Sequence, residues 1–229
     1  AKYLNMPSWS EILNKVQAIA ADKQASFLAD LRYEYIEKLA QKTGRNVIAY
    51  YSSFLQKPTV PDISINDRDI NAFMEAVYKL DKSKGLDLIL HTPGGDIATT
   101  EKIIHYLRSV FNGDIRAIIP QMAMSAGTMI SVSCREILMG KQSCLGPFDP
   151  QFNGVPCQSV LKEFEKAKRD VRENPHSLGL WQVIMSKYNP TFLLSCEQAV
   201  RLSEELISEI LKTSVSDPEK IEKIKKVFG

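Results

Sequence analysis

The sequence predicts an α/β fold built on a mostly parallel sheet, and three observations support this prediction. From residue 46 onwards, short runs of β-forming residues alternate with segments of helical periodicity. The runs at 86–90 and 115–119 are rich in apolar residues, as expected of strands in a sheet that helices cover on both faces. A double glycine and a serine in a small-residue stretch follow two of these strands, where ligands bind in such sheets.

Residues 1–45 are predicted to form a helical appendage in front of the main domain at 46–229. Apolar residues recur at helical spacing after Pro7-Ser8, a pair that can begin a helix. A second helix is predicted from about residue 25 to residue 42, and Gly44 ends it. We expect this pair of helices to form a packing or oligomer surface rather than a catalytic one.

The main domain is predicted to begin with alternating strands and helices and to end with helices alone. Strands are predicted at 47–51, 86–90, 115–119 and 136–139, and helices at 67–80, at 97–111 and directly after Ser125. Beyond Gly146-Pro147, four further helices are predicted near 160–171, 180–188, 191–212 and 218–227, each bounded by Pro, Gly or Asn. The sequence therefore predicts helical additions at both ends of the α/β part.

Composition and charge argue against several classes of function. The 229 residues are 44% hydrophobic and 24% charged, which is typical of a globular protein. The net charge of +2, from 29 basic and 27 acidic residues, gives no basic excess for a nucleic-acid partner. Three scattered histidines, His91, His105 and His176, form no zinc motif, and we expect neither a metal nor a cofactor.

Cysteine usage and the N-terminal sequence predict a cytoplasmic protein. The four cysteines form no CxxC pair and lie among apolar neighbours, as expected of buried free thiols in a reducing compartment. The start, AKYLNMPSWSEI, lacks the apolar core of a secretory signal. The uncharged stretch at 117–134 is interrupted by Pro120 and Gly127 and predicts a buried core helix, not a membrane span. We expect membrane association only through residues missing from either end.

Ser125, within QMAMSAGTMISVS, is the strongest candidate for a catalytic residue. A serine at a sharp strand-to-helix turn can expose its hydroxyl while the following backbone N–H groups face an incoming carbonyl. The segment HTPGGD, from His91 to Asp96, places two glycines after one strand and before the next helix. Such a turn can supply the other half of an oxyanion hole, so the two segments together predict a serine nucleophile.

These motifs resemble a known family. The segments HTPGGD, AMSAGTMI and MGKQSCLGPFDPQ resemble the ClpP/crotonase fold, which is built from strand–strand–helix units. Within that fold the sequence is similar to serine dehydrogenase proteinases, which are related to signal peptide peptidase A, and GRNVIAYYS and LDKSKGLDLILHTPGGD strengthen the match. The resemblance runs from about Pro7 to Val200. It implies a serine peptidase acting on a peptide or protein and assembled as a homo-oligomer.

The resemblance also implies roles for individual residues. Ser125 matches the nucleophile, Gly95 and Ala126 match the positions whose N–H groups form the oxyanion hole, and Gly94 supports the turn. ClpP places a histidine base in the segment that matches 145–151 here, but this segment reads LGPFDPQ and has no histidine. Signal peptide peptidases instead use a lysine on a later helix, so the resemblance implies a Ser-Lys dyad.

The helix SVLKEFEKAKRDV, at 159–171, contains the candidate lysines. Successive residues of a helix advance by about 100°, which groups five apolar residues on one side. These residues are Val160, Leu161, Phe164, Ala167 and Val171. Lys168 falls inside this arc, whereas Lys162 and Lys166 fall nearly opposite. A lysine buried among apolar groups can accept the serine proton, which makes Lys168 the first candidate for the base and Lys166 the second. Alternatively, Lys168 extends along the apolar face to reach water.

Other polar residues near the two turns have structural alternatives to a catalytic role. His91 is expected to be a satisfied turn histidine, Asp96 a helix cap and Asp149 a turn former. Ser143 or Thr128 could orient the lysine through a hydroxyl. His105, on the helix after the double glycine, is expected to be exposed.

Two alternative functions remain open at this point. A crotonase-like acyl-CoA enzyme would use the double-glycine oxyanion turn without a serine nucleophile. A catalytically silent scaffold would use the same fold only to assemble into oligomers.

Overall fold

Two helices precede the sheet in the computed structural model, which describes residues 7–152, 154–215 and 217–228. They are α1 (Trp9–Gln17) and α2 (Gln24–Thr43), as the sequence predicts. Ser8 begins α1 through a capping box: its hydroxyl accepts from the N–H of Glu11, whose carboxylate accepts from the N–H of Ser8. Gly44 ends α2 in the left-handed region at φ 70°. The first six residues of the predicted appendage lie outside the described residues.

The predicted α/β class is confirmed: four parallel strands form the central sheet in the order β1-β2-β3-β5. The eight strands of the described residues are β1 (Asn46–Tyr51), β2 (Leu86–His91), β3 (Ile115–Ile119), β4 (Met122–Ala123), β5 (Glu136–Met139), β6 (Cys144–Leu145), β7 (Gln151–Phe152) and β8 (Val155–Pro156). Helices α3 (Asp67–Val77), α4 (Ile97–Val110) and α5 (Ala126–Val132) connect neighbouring strands of this sheet. Outside it, β4 pairs with β6 in parallel and β7 forms an antiparallel pair with β8.

One face of the sheet forms the main hydrophobic core. Alternate residues of β2 and β3 point to this face and are almost fully buried. They are Leu86, Leu88, Leu90, Ile115, Ala117 and Ile119. Helices α3, α4 and α5 contribute to the same core, and every residue of α5 is buried. The uncharged stretch at 117–134 therefore supplies a buried core helix, α5, as predicted, although Pro120 and Gln121 in the same stretch are exposed.

The opposite face, here called the open face, corrects the expectation that helices cover both sides. The strand register places Ala49, Ile89, Ile118 and Leu138 in one row across this face. Helix α2 packs against β1, at one edge of the row. The covering is incomplete at the other edge, where the side chain of Leu138 is 39% exposed.

The open face also carries charges that the prediction of apolar strands overlooked. Asp87 of β2 is fully buried, and its carboxylate accepts hydrogen bonds from Arg45 at 2.7 Å and from Arg116 of β3 at 2.7 Å. Arg45 also donates to the carboxylate of Asp114, and this bond lowers the pKa of Asp114. Removing one partner of a buried ion pair of this kind destabilises the folded protein by about 3–5 kcal/mol. The network therefore ties the first three strands together at one end.

The C-terminal part is helical, as predicted. It contains α6 (Cys157–Glu173), α7 (Leu178–Met185), α8 (Phe192–Ser214) and α9 (Pro218–Phe228). The second half of α8 enters the main core, whereas its first half packs with α6 in a satellite core around Cys157, Val160 and Cys196. Within the described ranges, each helix is either too short or too polar to pass through a bilayer.

Candidate active site

Ser125 lies at the turn between β4 and α5 in a backbone conformation that few non-glycine residues adopt. Its φ is 49° and its ψ is −115°, and the side chain is half-buried. A conformation of this kind costs about 1–3 kcal/mol and persists only where the surrounding structure enforces it. In hydrolases a strained strand-to-helix turn projects the nucleophilic serine out of the sheet. The local geometry of Ser125 is that of such a turn.

The double glycine forms a loop that is clamped by the segment before α3. The N–H of Ile65 donates to the carbonyl of Gly94 at 2.8 Å, and the N–H of Asp96 donates to the carbonyl of Ile65 at 2.9 Å. This is a parallel bridge between Ile65 and Gly95, so the N–H of Gly95 points away from Ile65. A Cβ on Gly95 would lie only 2.3 Å from backbone atoms of Ile65. Only glycine fits this position without displacing the clamp.

The glycine loop and the serine turn are in direct contact. A Cβ on Gly94, where φ is 99°, would lie 2.8 Å from the carbonyl oxygen of Met124 and 2.9 Å from Cβ of Ser125. The N–H of Gly94 is held by the buried hydroxyl of Thr92 at 3.1 Å. The N–H groups of Gly95 and Ala126 take part in no hydrogen bond within the described part of the chain. The two amides that the resemblance assigns to an oxyanion hole are therefore close together and available.

A cavity of about 560 Å³ opens at this point. Ser125 and both glycines form one side, and the loop and hairpin at 149–152 form another. Ile97, Ala199 and Leu202 add apolar walls. The residues of α8 are far from Ser125 along the chain, and no local motif identifies them as part of the site. Ile65, which clamps the glycine loop, was missed for the same reason, whereas Thr92 lies inside HTPGGD, where nothing in the motif indicated that its hydroxyl holds the loop.

Two carboxylates line the cavity, and each caps a helix. Asp96 accepts from the N–H of Thr99 at 2.7 Å and begins α4, which confirms the predicted cap. Asp149 accepts from the N–H of Gln158 at 3.1 Å, in the first turn of α6. Pro156 at the start of α6 has no side chain that could cap it. Asp149 therefore serves as a remote cap, where the sequence indicated only a turn former.

The hydroxyls of Thr128 and Ser143 are engaged by the backbone. The hydroxyl of Thr128 accepts from the N–H of Gly146 at 3.0 Å and lies 2.8 Å from the carbonyl oxygen of Ala123. Ser143 donates to the carbonyl of Ile119 at 2.5 Å. Thr128 thus fastens the start of α5 to the loop at 146. Both hydroxyls have structural partners in place of the lysine that they were expected to orient.

Lys168 is not buried in the apolar face of α6, and its amine reaches water, as in the alternative to a catalytic role. Its side chain is 66% exposed and forms an ion pair with Glu165 at 2.6 Å, which lowers the pKa of Glu165. Lys166 is 56% exposed, pairs with Asp170 at 2.5 Å and thereby lowers the pKa of Asp170. Neither lysine lines the cavity around Ser125.

The apolar residues of α6 lie on one buried or half-buried side of the helix, as predicted, but Lys168 does not share their burial. The satellite core contains only the first half of α6, with Cys157, Val160, Leu161 and Phe164. Beyond Phe164, Ala167 on this side is still buried and Val171 is half-buried, whereas Lys168, near the edge of the apolar arc, is exposed. About 16 Å of helix separates Cys157, whose N–H donates to the carbonyl of the cavity-lining Pro150, from Lys168. The serine and the lysines are therefore not brought together within this chain.

The histidines and cysteines give no alternative catalytic pair in the described cavity wall. His91 and His105 both lie outside it, and His105 is exposed as predicted. His105, Glu101 and Glu209 are the one group of described side chains that could hold a metal ion, on the outer surface of α4 and α8. Burial raises the pKa of Cys157 to about 12, with Cys196 adding to the shift, so this thiol stays protonated. Three cysteines are buried and free as predicted, whereas Cys144 is exposed.

Comparison with known proteins agrees with the geometry. A family model described as ClpP-like SDH-type serine proteinase matches residues 12–228. The chain is 29% identical over 201 residues to the uncharacterized protein MJ1495 of Methanocaldococcus jannaschii, covering 86% of this chain and 63% of that protein. It is 34% identical over 113 residues to the uncharacterized protein MJ0137 of the same organism, covering 49% of this chain and 38% of the relative. The chain thus spans less than two thirds of the length of either relative.

Proposed function

The chain belongs to the family of ClpP-like SDH-type serine proteinases, and we propose that it hydrolyses peptide bonds through an acyl-enzyme on Ser125. The observation that carries this proposal is the backbone of Ser125, at φ 49° and ψ −115°, in contact with a loop whose amide is free. A serine that only fills space in the core has no need of this costly conformation. The strain is accounted for if the hydroxyl must project into the cavity.

In the proposed reaction the hydroxyl oxygen of Ser125 attacks the carbonyl carbon of a peptide or protein substrate. The N–H groups of Gly95 and Ala126 stabilise the oxyanion that forms, which is worth about 100- to 1,000-fold in rate per donor. The proton of the serine passes to a general base and then to the leaving amine. Water, activated by the same base, hydrolyses the acyl-enzyme and regenerates Ser125.

The general base in this proposal is a lysine that comes from a second copy of the chain. A serine hydroxyl needs a proton acceptor, and the described wall of the cavity contains no lysine or histidine. Lys168 and Lys166 project from the exposed end of α6, where a neighbouring copy can receive them. A homo-oligomer in which α6 of one copy reaches the cavity of the next would complete the Ser-Lys dyad. Lys168 remains the first candidate and Lys166 the second.

The alternative functions fit the cavity less well. Two carboxylates and no basic side chain line its described part, which is a poor match for the phosphates of an acyl-CoA. Neither the acyl-CoA function nor a silent scaffold explains the conformation of Ser125. We therefore favour the peptidase over both.

The substitution Ser125→Ala tests the proposal. We expect peptidase activity on a library of quenched fluorescent peptides to fall by at least about 1,000-fold, because the nucleophile is lost. A fluorophosphonate should label Ser125 in the native protein, as mapped by mass spectrometry, and should not label the variant. Ser64→Ala is the matched control, since Ser64 lines the same cavity and should be dispensable. Unchanged activity in Ser125→Ala would contradict the proposal.

A further inference from the structure

A second cavity, here called the α2 groove, lies between α2 and the open face of the sheet. Its volume is about 520 Å³, and it shares no lining residue with the cavity around Ser125. Ala49 and Ile89 form its floor, and Tyr35, Ile36 and Leu39 of α2 form one wall. The volume lies within the range of about 300–1,000 Å³ that is usual for small-molecule sites.

The walls of the α2 groove are apolar, and helix α2 packs only loosely on the sheet. Helix α2 has no fully buried residue, and its apolar side chains remain half-buried over the strands. An apolar ligand in this space would remove these side chains from water, at about 25 cal/mol for each Å². The groove therefore offers a favourable environment for a hydrocarbon chain.

The charges at the rim of the α2 groove all have one sign. Arg32, Lys38 and Lys42 line it, and no acidic residue does so among the described residues. The guanidinium of Arg32 lies 5.1 Å from the ring centre of Tyr51, which holds it over the groove. Lys38 pairs with Glu34 and lies 4.8 Å from the ring centre of Tyr35. A basic rim above an apolar floor is complementary to an amphiphile with a negatively charged head.

His91 adds a polar group at the end of β2 in the same groove. Its Nδ1 is buried and has no hydrogen-bond partner in the described part of the chain. A buried polar atom without a partner costs about 1–3 kcal/mol. Because this atom is inaccessible to water while the groove is open, it does not face the groove, and the affinity of the groove for a carboxylate depends on the basic rim alone.

We propose that the α2 groove binds a free fatty-acid anion. The acyl chain lies on the floor formed by Ala49 and Ile89, and the carboxylate lies beside Lys38 and Lys42, which are one turn apart on α2. Arg32, about 9 Å further along the helix, adds to the positive potential of the rim. The proposed ligand is a carboxylate with one acyl chain, and not a phospholipid surface or a second copy of this protein. The inference is independent of the proposed peptidase, because the two cavities are separate.

Isothermal titration of the full chain with decanoate, below its micelle concentration, tests the proposal. We expect saturable binding of one decanoate per chain, and at least about fivefold weaker binding of decyltrimethylammonium, which has the opposite charge. The double substitution Arg32→Glu/Lys42→Glu should weaken decanoate binding by at least about fivefold, and it changes only surface charges. Ala49→Phe should abolish binding by filling the floor.

Ala199→Phe is the matched control, because Ala199 lines the cavity around Ser125 and its substitution should leave decanoate binding unchanged. Loss of binding in Ala199→Phe but not in Ala49→Phe would place the ligand at Ser125 and overturn the proposal. Equal binding by the charge-reversed protein, or no saturable binding by the native one, would also overturn it. Two further outcomes would overturn the proposal. If Ala49→Phe dissociates an oligomer that decanoate leaves intact, the groove is an interface between copies of the chain. If the native chain binds anionic vesicles but not decanoate, the groove binds a phospholipid surface.

Discussion

The two halves of the proposed dyad differ in how firmly the structure holds them. The serine turn is enclosed by backbone hydrogen bonds: the N–H of Met124 donates to the carbonyl of Thr92 at 3.0 Å, and the N–H of Gly127 donates to the carbonyl of Met124 at 2.8 Å. Lys168, in contrast, is held by one exposed ion pair with Glu165. Exposed pairs of this kind contribute only about 0.2–1 kcal/mol.

This difference indicates a site that is preorganised on one side and incomplete on the other. Oxyanion donors act by being in place before the charge develops, so the turn and the glycine loop must be rigid. A lysine that acts as the base needs only to reach the serine in its neutral form. Breaking its ion pair with Glu165 costs little free energy. In the proposed dyad, assembly of copies therefore switches on a site whose described wall contains no base in a single chain.

Among the variants that test this difference, Lys168→Ala should lose the most activity. If Lys168 is the general base, activity should fall by about 100- to 10,000-fold, the range typical of general-base catalysis. Fluorophosphonate labelling of Ser125 should weaken in parallel, while the oligomeric state measured by sedimentation stays the same. The matched control is Lys162→Ala, since Lys162 is also exposed on α6 and has no proposed role. Near-native activity in Lys168→Ala would move the role to Lys166.

Mixing two inactive variants shows whether the lysine comes from another copy. Ser125→Ala retains the lysine and Lys168→Ala retains the serine, so mixed oligomers contain some complete sites. We expect activity to reappear after the two variants are dissociated together and reassembled. A mixture that stays silent, although both variants assemble, would contradict a dyad formed between copies.

The substitution Gly94→Ala tests the rigid half. Its Cβ would clash with the carbonyl of Met124 at 2.8 Å and require an unfavourable φ of 99°, so the loop must move away from Ser125. We expect about 100-fold lower activity, comparable with the loss of one oxyanion donor. Gly113→Ala is the control: φ is 71° there, but no atom lies within 4 Å of the added Cβ. It should lose about 1–2 kcal/mol of stability and keep its activity, and equal losses of activity in both variants would argue against a specific role for Gly94.

The sequence was informative about the fold because strand and helix periods are local properties. Every predicted strand and helix is present, and the glycine and serine turns meet at the carboxyl edge of the sheet, as expected of parallel strands. The environment of Lys168 was not predictable in this way. It depends on how α7 and α8 pack on α6, and these contacts join separate segments of the chain. The partial exposure of the open face has the same origin, because it depends on how far α2 extends over the sheet.

The smallest expected effect is a gain in stability from Ser125→Gly. Glycine adopts φ 49° without the strain of about 1–3 kcal/mol that a side chain incurs, but it loses about 0.5–1 kcal/mol through the entropy of the unfolded chain. We therefore expect a net gain of about 1 kcal/mol, measured as a higher urea midpoint at an unchanged m-value. Ser125→Ala keeps the strain and should differ from the native protein by less than about 0.5 kcal/mol. If the glycine variant is no more stable than the alanine variant, the turn is not strained. The rigid half of the site would then owe its shape to ordinary packing rather than to a conformation that the fold enforces for catalysis.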